Sequence, residues 1–249
     1  MAWQQSNSNG TITSDPNNAT DGDIFIAEAL IQAAKRWPSE SKTYLNQSKN
    51  ILNDILTYNL NSDLNMLTVS TWVSPQKKEW SVFRTSDVVP SFFDDFLTIS
   101  SNSKWASIKT SMLKYMLDVS STHKGLVSDF ISVNSENKKG TPTNYDVMGD
   151  TNSNDFAYNA IRVPLMLSMG NTSSSKELLN PLLSFLNTRS PIEGLYHLDG
   201  SVLNWSDVTR FNYEYAQYKL NITPQLKDES YPNAGYYTDT LFTLSRVVS

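Results

Sequence analysis

Apolar residues recur at helical spacing along most of this chain, interrupted by polar, turn-rich stretches. Residues 1–18 are a polar lead-in. Residues 19–37, ATDGDIFIAEALIQAAKRW, then read as a tight polar turn opening into a strongly apolar helix that Pro38 ends. Thr20 or Asp21 can cap this helix, and Asp23 sits in the first turn, where the dipole favours negative charge. Ile26, Ala27, Leu30, Ala33, Ala34 and Trp37 recur on one face and predict a wide buried stripe. A second amphipathic helix follows over residues 42–60, its stripe made by Tyr44, Leu45, Ile51, Leu52, Ile55 and Leu56. Residues 67–72 are short and β-rich, an extended insertion between helical hairpins.

Further helices are expected from Pro90 through Ile99, over 105–119 and 174–187, and as a closing helix over 235–248. In the 105–119 segment Ile108, Met112, Tyr115, Met116 and Val119 form the apolar side. Leu178, Leu179, Leu182, Leu183 and Leu186 do the same in 174–187. Residues 132–154 read as a long exposed loop, and residues 195–203 as a turn-rich connection containing His197. Residues 206–220 are either a helix or a groove lining built from Arg210, Tyr213, Glu214, Tyr215 and Tyr218.

Composition narrows the classes. A chain of 249 residues buries a substantial core, and one domain over 1–249 is the simplest organisation. A net charge of −5 offers no basic stripe for phosphates, which argues against a nucleic-acid partner. No apolar run is long enough to cross a bilayer, so no membrane partner is expected. The lead-in lacks the charged and apolar regions of a signal peptide. With no cysteine and two histidines there is no disulfide framework and little to ligate a metal; no cofactor is expected. Six Trp and 12 Tyr suit either sugar stacking or core packing, and the count does not choose between them.

The spacing A-T-D-G-D-x-x-I-A-x-A-L-x-x-A-x-x-x-W over residues 19–37 resembles the signature of glycoside hydrolase family 8. That family contains inverting endo-β-1,4-glucanases, lichenases, chitosanases and xylanases. The resemblance implies an all-α (α/α)6 toroid of helical hairpins, incomplete at its N-terminus and carrying a short β insertion. It places Asp21 at the centre of the cleft, holding the sugar ring being cleaved, with Asp23 beside it. Without the resemblance, both acids are ordinary helix-start residues. Trp3 falls where the family often has a cleft tryptophan; packing is the alternative.

The family's general acid lies in a motif similar to S-E-G-x-G-Y-G, which none of these residues form. The chain is therefore read as the C-terminal two-thirds of a family 8 protein. RTSDVVPSFFDDF, from Arg84, resembles the R-x-S-D segment of the chitosanase and lichenase branch. There Arg84 or Asp87 reaches substrate hydroxyls, unless Ser86 and Asp87 simply cap the next helix. Residues 125–130 resemble a G-L-x-x-D-F turn near the cleft.

DFAYNAIRVPLMLSM, residues 155–169, looks like the family's Y-D-A-x-R-x-P helix, with Tyr158, Arg162 and Pro164 matching. Asn159 departs from it. Cellulase-type members carry an aspartate there as general base, and an amide cannot accept that proton, so Asn159 can only position water. In the branch that shares the amide, a carboxylate of the preceding loop takes over. Asp146, Asp150 and Asp155 are the candidates; Asp150 is favoured because Gly149 frees the backbone beside it, and Asp155 is second. Arg162 is expected to orient a carboxylate through a bidentate contact. Tyr236 and Tyr237 match a cleft tyrosine near the C-terminus.

The implied chemistry is single displacement, with acid and base about 6.5–9.5 Å apart to admit water. The expected substrate is a β-1,4-linked glucan or related polysaccharide, met outside the cell or at its surface by the full-length bacterial protein. Lacking the acid motif, the 249 residues alone are expected to be weakly active. Two other readings stand beside this one. The chain either binds glycans without cleaving them or is a helical remnant that self-associates through exposed hairpin faces.

Overall fold

The computed structural model describes residues 1–2, 4–170, 172–226 and 234–247. The chain divides into two compact units, one of residues 1–83 and 92–112, the other of residues 84–91 and 113–249.

The first unit begins with a β-hairpin where the pattern suggested only a lead-in. β1 (Gln5–Ser8) pairs antiparallel with β2 (Thr11–Ser14), Gln5 opposite Ser14. Asn9 and Gly10 turn it with φ of 50° and 82°, the consecutive left-handed residues that match strand twist. An Asn-Gly pair flanked by threonine and serine was the available signal.

α1 (Thr20–Arg36) and α2 (Ser41–Tyr58) form a helical hairpin through a 3₁₀ turn at Pro38–Glu40. The buried stripe of α1 is Ile24, Ala27, Ile31 and Ala34, so Ala27 and Ala34 of the predicted stripe are buried, while Ile26 and Trp37 are exposed at 38% and 52%. Nearly every non-polar position of α1 is apolar enough for either face, so periodicity fixed the helix but not its rotation. Neither Thr20 nor Asp21 caps it: Ala19 is the N-cap and no side chain bonds there. Instead the Thr20 hydroxyl donates to the Thr68 carbonyl at 2.6 Å and receives Asn59 Nδ2 at 2.9 Å. Asn18 joins the same buried network, donating Nδ2 to Asn59 Oδ1 at 3.0 Å and accepting the Thr71 amide at 2.8 Å. These bonds tie the start of α1 to the stretch after α2. Only Met66–Leu67 (β4) of that stretch is strand, paired with Leu60–Asn61 (β3). The rest is buried through side-chain bonds to the turn.

Glu28 lies on the buried side of α1, and burial pushes its carboxyl from 4.5 to about 7. Gln32 bonds it, while Asp95 raises it further and Lys35 opposes. Phe93 and Phe96 of α3 (Pro90–Ser100) close on Trp105 of α4 (Lys104–Ser120), ring centroids 5.8 and 5.0 Å away. A short strand, β5 (Val82–Arg84), precedes α3.

In the second unit, the predicted loop over 132–154 contains strand. β6 (Phe130–Val133) pairs with β7 (Gly140–Pro142), Ile131 opposite Pro142. Gly140 is required there, since a Cβ would meet the Tyr115 carbonyl oxygen at 2.4 Å. α5 (Val163–Ser168) and α6 (Lys176–Asn187) follow, and all five predicted leucines of α6 are buried. The 195–203 connection is also a hairpin, β8 (Gly194–Tyr196) with β9 (Val202–Trp205).

α7 (Asp207–Lys219) settles the alternative at 206–220 in favour of a helix, with Tyr213, Glu214 and Tyr215 buried. It packs against α5, α6 and α8 (Tyr236–Val247). Asn212 Nδ2 reaches the Ile161 carbonyl at 2.7 Å, holding α7 to the turn before α5. Among the described residues no helix is long and apolar enough to cross a membrane.

Candidate active site

In the second unit, the segment from 155 to 162 is folded around one carboxylate. Asp129, immediately before β6, is fully buried. Its Oδ1 accepts the backbone N–H groups of Ala157 at 3.0 Å and Ala160 at 2.7 Å. Its Oδ2 accepts both the backbone N–H and the side-chain Nδ2 of Asn159, each at 2.9 Å. Its own N–H donates to the Asp155 carbonyl at 2.8 Å. The amides at the start of a helical segment lack partners within it, and here one carboxylate supplies them. This is why residues 155–169 are not the single helix that the family resemblance implies: the chain loops over Asp129, makes a 3₁₀ turn at Ala160–Arg162 and only then enters α5. Burial pushes the Asp129 carboxyl from 3.8 to about 6, against the pull of the Ala160 and Asn159 donors; the Asp150 charge adds to the rise.

Asn159 is held at both ends, because its Oδ1 accepts a hydrogen bond from Arg162 Nη2. Tyr237 of α8 donates its hydroxyl to the Tyr158 carbonyl. Burial pushes that phenol to about 12, with Arg162 opposing and Asp129 and Tyr158 adding. Four predicted site residues from two elements, Tyr158, Asn159, Arg162 and Tyr237, are therefore brought together around Asp129. Asp150 is partly exposed at a tight turn in which Met148 and Gly149 have φ of 54° and 80° and Val147 bridges back to Asp150. Its Oδ1 accepts the Asn152 amide at 2.9 Å. Asp155 points elsewhere: it is buried, with Oδ1 2.9 Å from His197 Nδ1.

The other candidates are placed as follows. In the first unit, Asp21 is partly exposed and accepts the Gly22 amide at 2.9 Å, while Asp23 is buried and accepts Asn18 Nδ2 at 2.8 Å. Arg84 and Asp87 are buried and paired at 3.6 Å, with the Arg84 guanidinium 5.8 Å above the Phe130 ring. Tyr236 is 89% exposed. Trp3 lies outside the described residues. Among the described residues no group of three or more His, Cys, Asp or Glu could hold a metal ion. A cavity of about 260 Å³ bordered by Tyr213, Glu214, Gln217 and Leu226 shares no lining residue with the Asp129 constellation.

Chemically, the constellation offers donors and an amide but no exposed base of its own. Asn159 can orient water yet not take its proton. Of the predicted loop carboxylates, Asp150 combines solvent access with an electrostatic effect on Asp129. Sequence reasoning noticed the turn containing Asp129 but not its role. The available signal was an acid set between Val127 and Phe130–Ile131, where an unpaired charge would be costly and partners must follow.

Solved structures define the fold class. The chain superimposes on the apo β-1,3-1,4-glucanase of Paenibacillus sp. X4 with a TM-score of 0.83 at 22% identity, covering 98% of this chain and 69% of that one. It also superimposes on a cold-adapted family 8 xylanase in complex with substrate, with a TM-score of 0.76 at 19% identity, covering 99% and 67% of the two chains. In sequence it is 25% identical over its whole length to a β-glucanase of Niallia circulans, covering 65% of that protein. An endoglucanase of Bacillus sp. (strain KSM-330) is 27% identical over 61% of this chain and 33% of its own length. The chain thus spans about two thirds of one curated relative and a third of the other. Residues 1–223 match the glycosyl hydrolases family 8 description. The chain belongs to that family.

Proposed function

We propose that this chain is the catalytic part of an inverting endo-glycosidase that cuts β-linked glucan within a family 8 helical toroid. The observation that carries the proposal is the joining of Tyr158, Asn159, Arg162 and Tyr237 around Asp129, with Asp150 at their margin. In this reading Asp150 is the general base, Asn159 positions the attacking water, and Arg162 and Tyr158 bind sugar hydroxyls. Asp21 holds the ring being cleaved. The leaving oxygen must be protonated by a carboxylic acid on the other face of the sugar. No motif of these 249 residues supplies it, so hydrolysis by them alone is weak. The names of the two curated relatives favour β-glucan over other polymers, and because such a polymer is met outside the cell, we propose that the working enzyme acts outside a bacterial cell.

Release of reducing sugar from lichenan, carboxymethylcellulose and chitosan is the test, with the product anomer followed by proton NMR. Slow release of inverted product, abolished by Asp150→Asn with oligosaccharide binding kept, is expected. Binding without any product would favour a glycan-binding module, and brisk turnover would refute the argument from the absent acid. We also propose weak self-association through the exposed Ile26 and Trp37 of α1, which sizing in solution will show or refute.

A further inference from the structure

Asn159 has an amide whose two ends differ only in which atom is oxygen and which is nitrogen. Its usefulness at a reacting centre depends on which end faces which neighbour. Nothing in residue 159 itself decides that. The neighbours do: a carboxylate oxygen, which can only accept, lies 2.9 Å from one end, and a guanidinium nitrogen, which can only donate, meets the other. The amide must therefore put Nδ2 toward Asp129 and Oδ1 toward Arg162.

We infer that Asp129 is a positioning residue for the family 8 site, fixing the orientation of the Asn159 amide and through it the guanidinium of Arg162. The inference rests on the functional reading above and deepens it. Asp129 touches no solvent, so it acts through these neighbours and not on a substrate. Its other three bonds, to the backbone amides of residues 157, 159 and 160, make it rigid. The segment carrying Tyr158, Asn159 and Arg162 is thus pinned to β6 by the same carboxylate that orients the amide. A side chain held by one charged partner on each side has a single rotamer, which is the preorganisation a reacting centre needs.

The lock has a specific weakness. In Asp129→Asn, one of the two oxygens, each of which accepts two of the four bonds, becomes an NH2 group facing two N–H donors. Turned toward Asn159, that NH2 leaves the backbone N–H of residue 159 without its acceptor and is met at the side chain only if the Asn159 amide flips, which sets its own NH2 against Arg162. Asn159→Asp fails in the opposite way, placing two carboxylates in contact. Exchanging both, Asp129→Asn with Asn159→Asp, restores the side-chain donor–acceptor pair and an acceptor for Arg162, leaving the backbone N–H of residue 159 as the one bond not recovered. The pair therefore predicts a strong departure from additivity.

The experiment uses the whole chain. Side-chain amide resonances of Asn159, identified by their loss in Asn159→Asp, are followed by ¹⁵N NMR from pH 4.5 to 8. The titratable and charged groups that act on this carboxylate or contact its amide partner are Asp150, Arg162, Tyr158 and Tyr237. Titration of the Asn159 amide with a midpoint near pH 6 is expected in the wild type, persisting with a lower midpoint in Asp150→Asn and disappearing in Asp129→Asn. Each single exchange should lower the melting temperature at pH 8 by about 5 °C, as expected for losing one or two buried bonds, and the double exchange should recover at least half of the loss. Hydrolysis by Asp129→Asn should fall about tenfold in kcat per folded molecule, with KM within about twofold and the folded fraction set by circular dichroism at the assay temperature, so that simple loss of fold is accounted for. Unchanged Asn159 resonances in Asp129→Asn, or strictly additive melting temperatures, overturn the inference. Failure of the functional reading shows separately: the wild type then releases no sugar from any glucan, while the NMR and melting results still decide the role of Asp129.

Discussion

Glu28 is a buried acid whose environment opposes its charge, and replacing it with glutamine should stabilise the protein in a pH-dependent way. It is 5% exposed on the packed side of α1. Burial is the main cause of its rise from 4.5 to about 7, Asp95 adds to it, and Gln32 and Lys35 oppose it. The unfolded chain ionises this group near its ordinary value, whereas the folded chain does so only near 7. Folded stability therefore declines as pH climbs through this interval and levels off above it. The rise corresponds to about 3 kcal/mol at most, and Lys35, more than half exposed in its ion pair with Asp95, lets solvent screening reduce it. Glu28→Gln keeps the shape and the bond to Gln32 but cannot ionise. It should exceed the wild type by about 1–3 kcal/mol at pH 8, with the two equal to within about 0.5 kcal/mol at pH 4. Urea titrations at both pH values measure this without changing ionic strength. A glutamine variant less stable at pH 8, or a difference that does not change between the two pH values, would refute the reasoning.

Gly125 has φ of +92°, and a Cβ there would meet the carbonyl carbon of Pro181 at 2.4 Å. Gly125→Ala should therefore cost about 3 kcal/mol or more, seen as a lower thermal midpoint by circular dichroism. Trp105 fills a fully buried position between Phe93 and Phe96; Trp105→Ala should lose about 3–5 kcal/mol by the same measurement.

The helices were legible because their apolar residues repeat over three turns or more. Met112, Tyr115, Met116 and Val119 of α4 and the leucines of α6 are buried as their spacing requires. The hairpins were not, because strands of two to four residues hold too few positions for alternation to show. In β6–β7 the decisive feature is the contact of Gly140 with the Tyr115 backbone, made across 25 residues of sequence. The rotation of α1 escaped for a different reason: a helix apolar on both sides leaves the choice to polar anchors such as Thr20, Asn18 and Asn59, whose partners are distant in the chain.

The site divides along the same line. Tyr158, Asn159 and Arg162 were legible as a local motif, and Tyr237 as its distant partner, but the residue that organises them lies 30 positions before Asn159. The amide at 159 and the acid at 129 are one physical choice. With Asp129 fully buried and already raised to about 6 by that burial, a carboxylate 2.9 Å away at residue 159 would leave two negative charges sharing one dry position. One of them would have to stay protonated near neutral pH, as in any carboxyl pair at contact distance. With the proton on 159 the acid is no better a base than the amide, and with the proton on Asp129 the loop loses its charged anchor. A structure that commits Asp129 as a carboxylate to holding this loop therefore disfavours a second carboxylate at 159, and the proposed reading takes the base from outside the lock. Asp150, partly exposed and acting on Asp129 through its charge, is the residue we propose for that role.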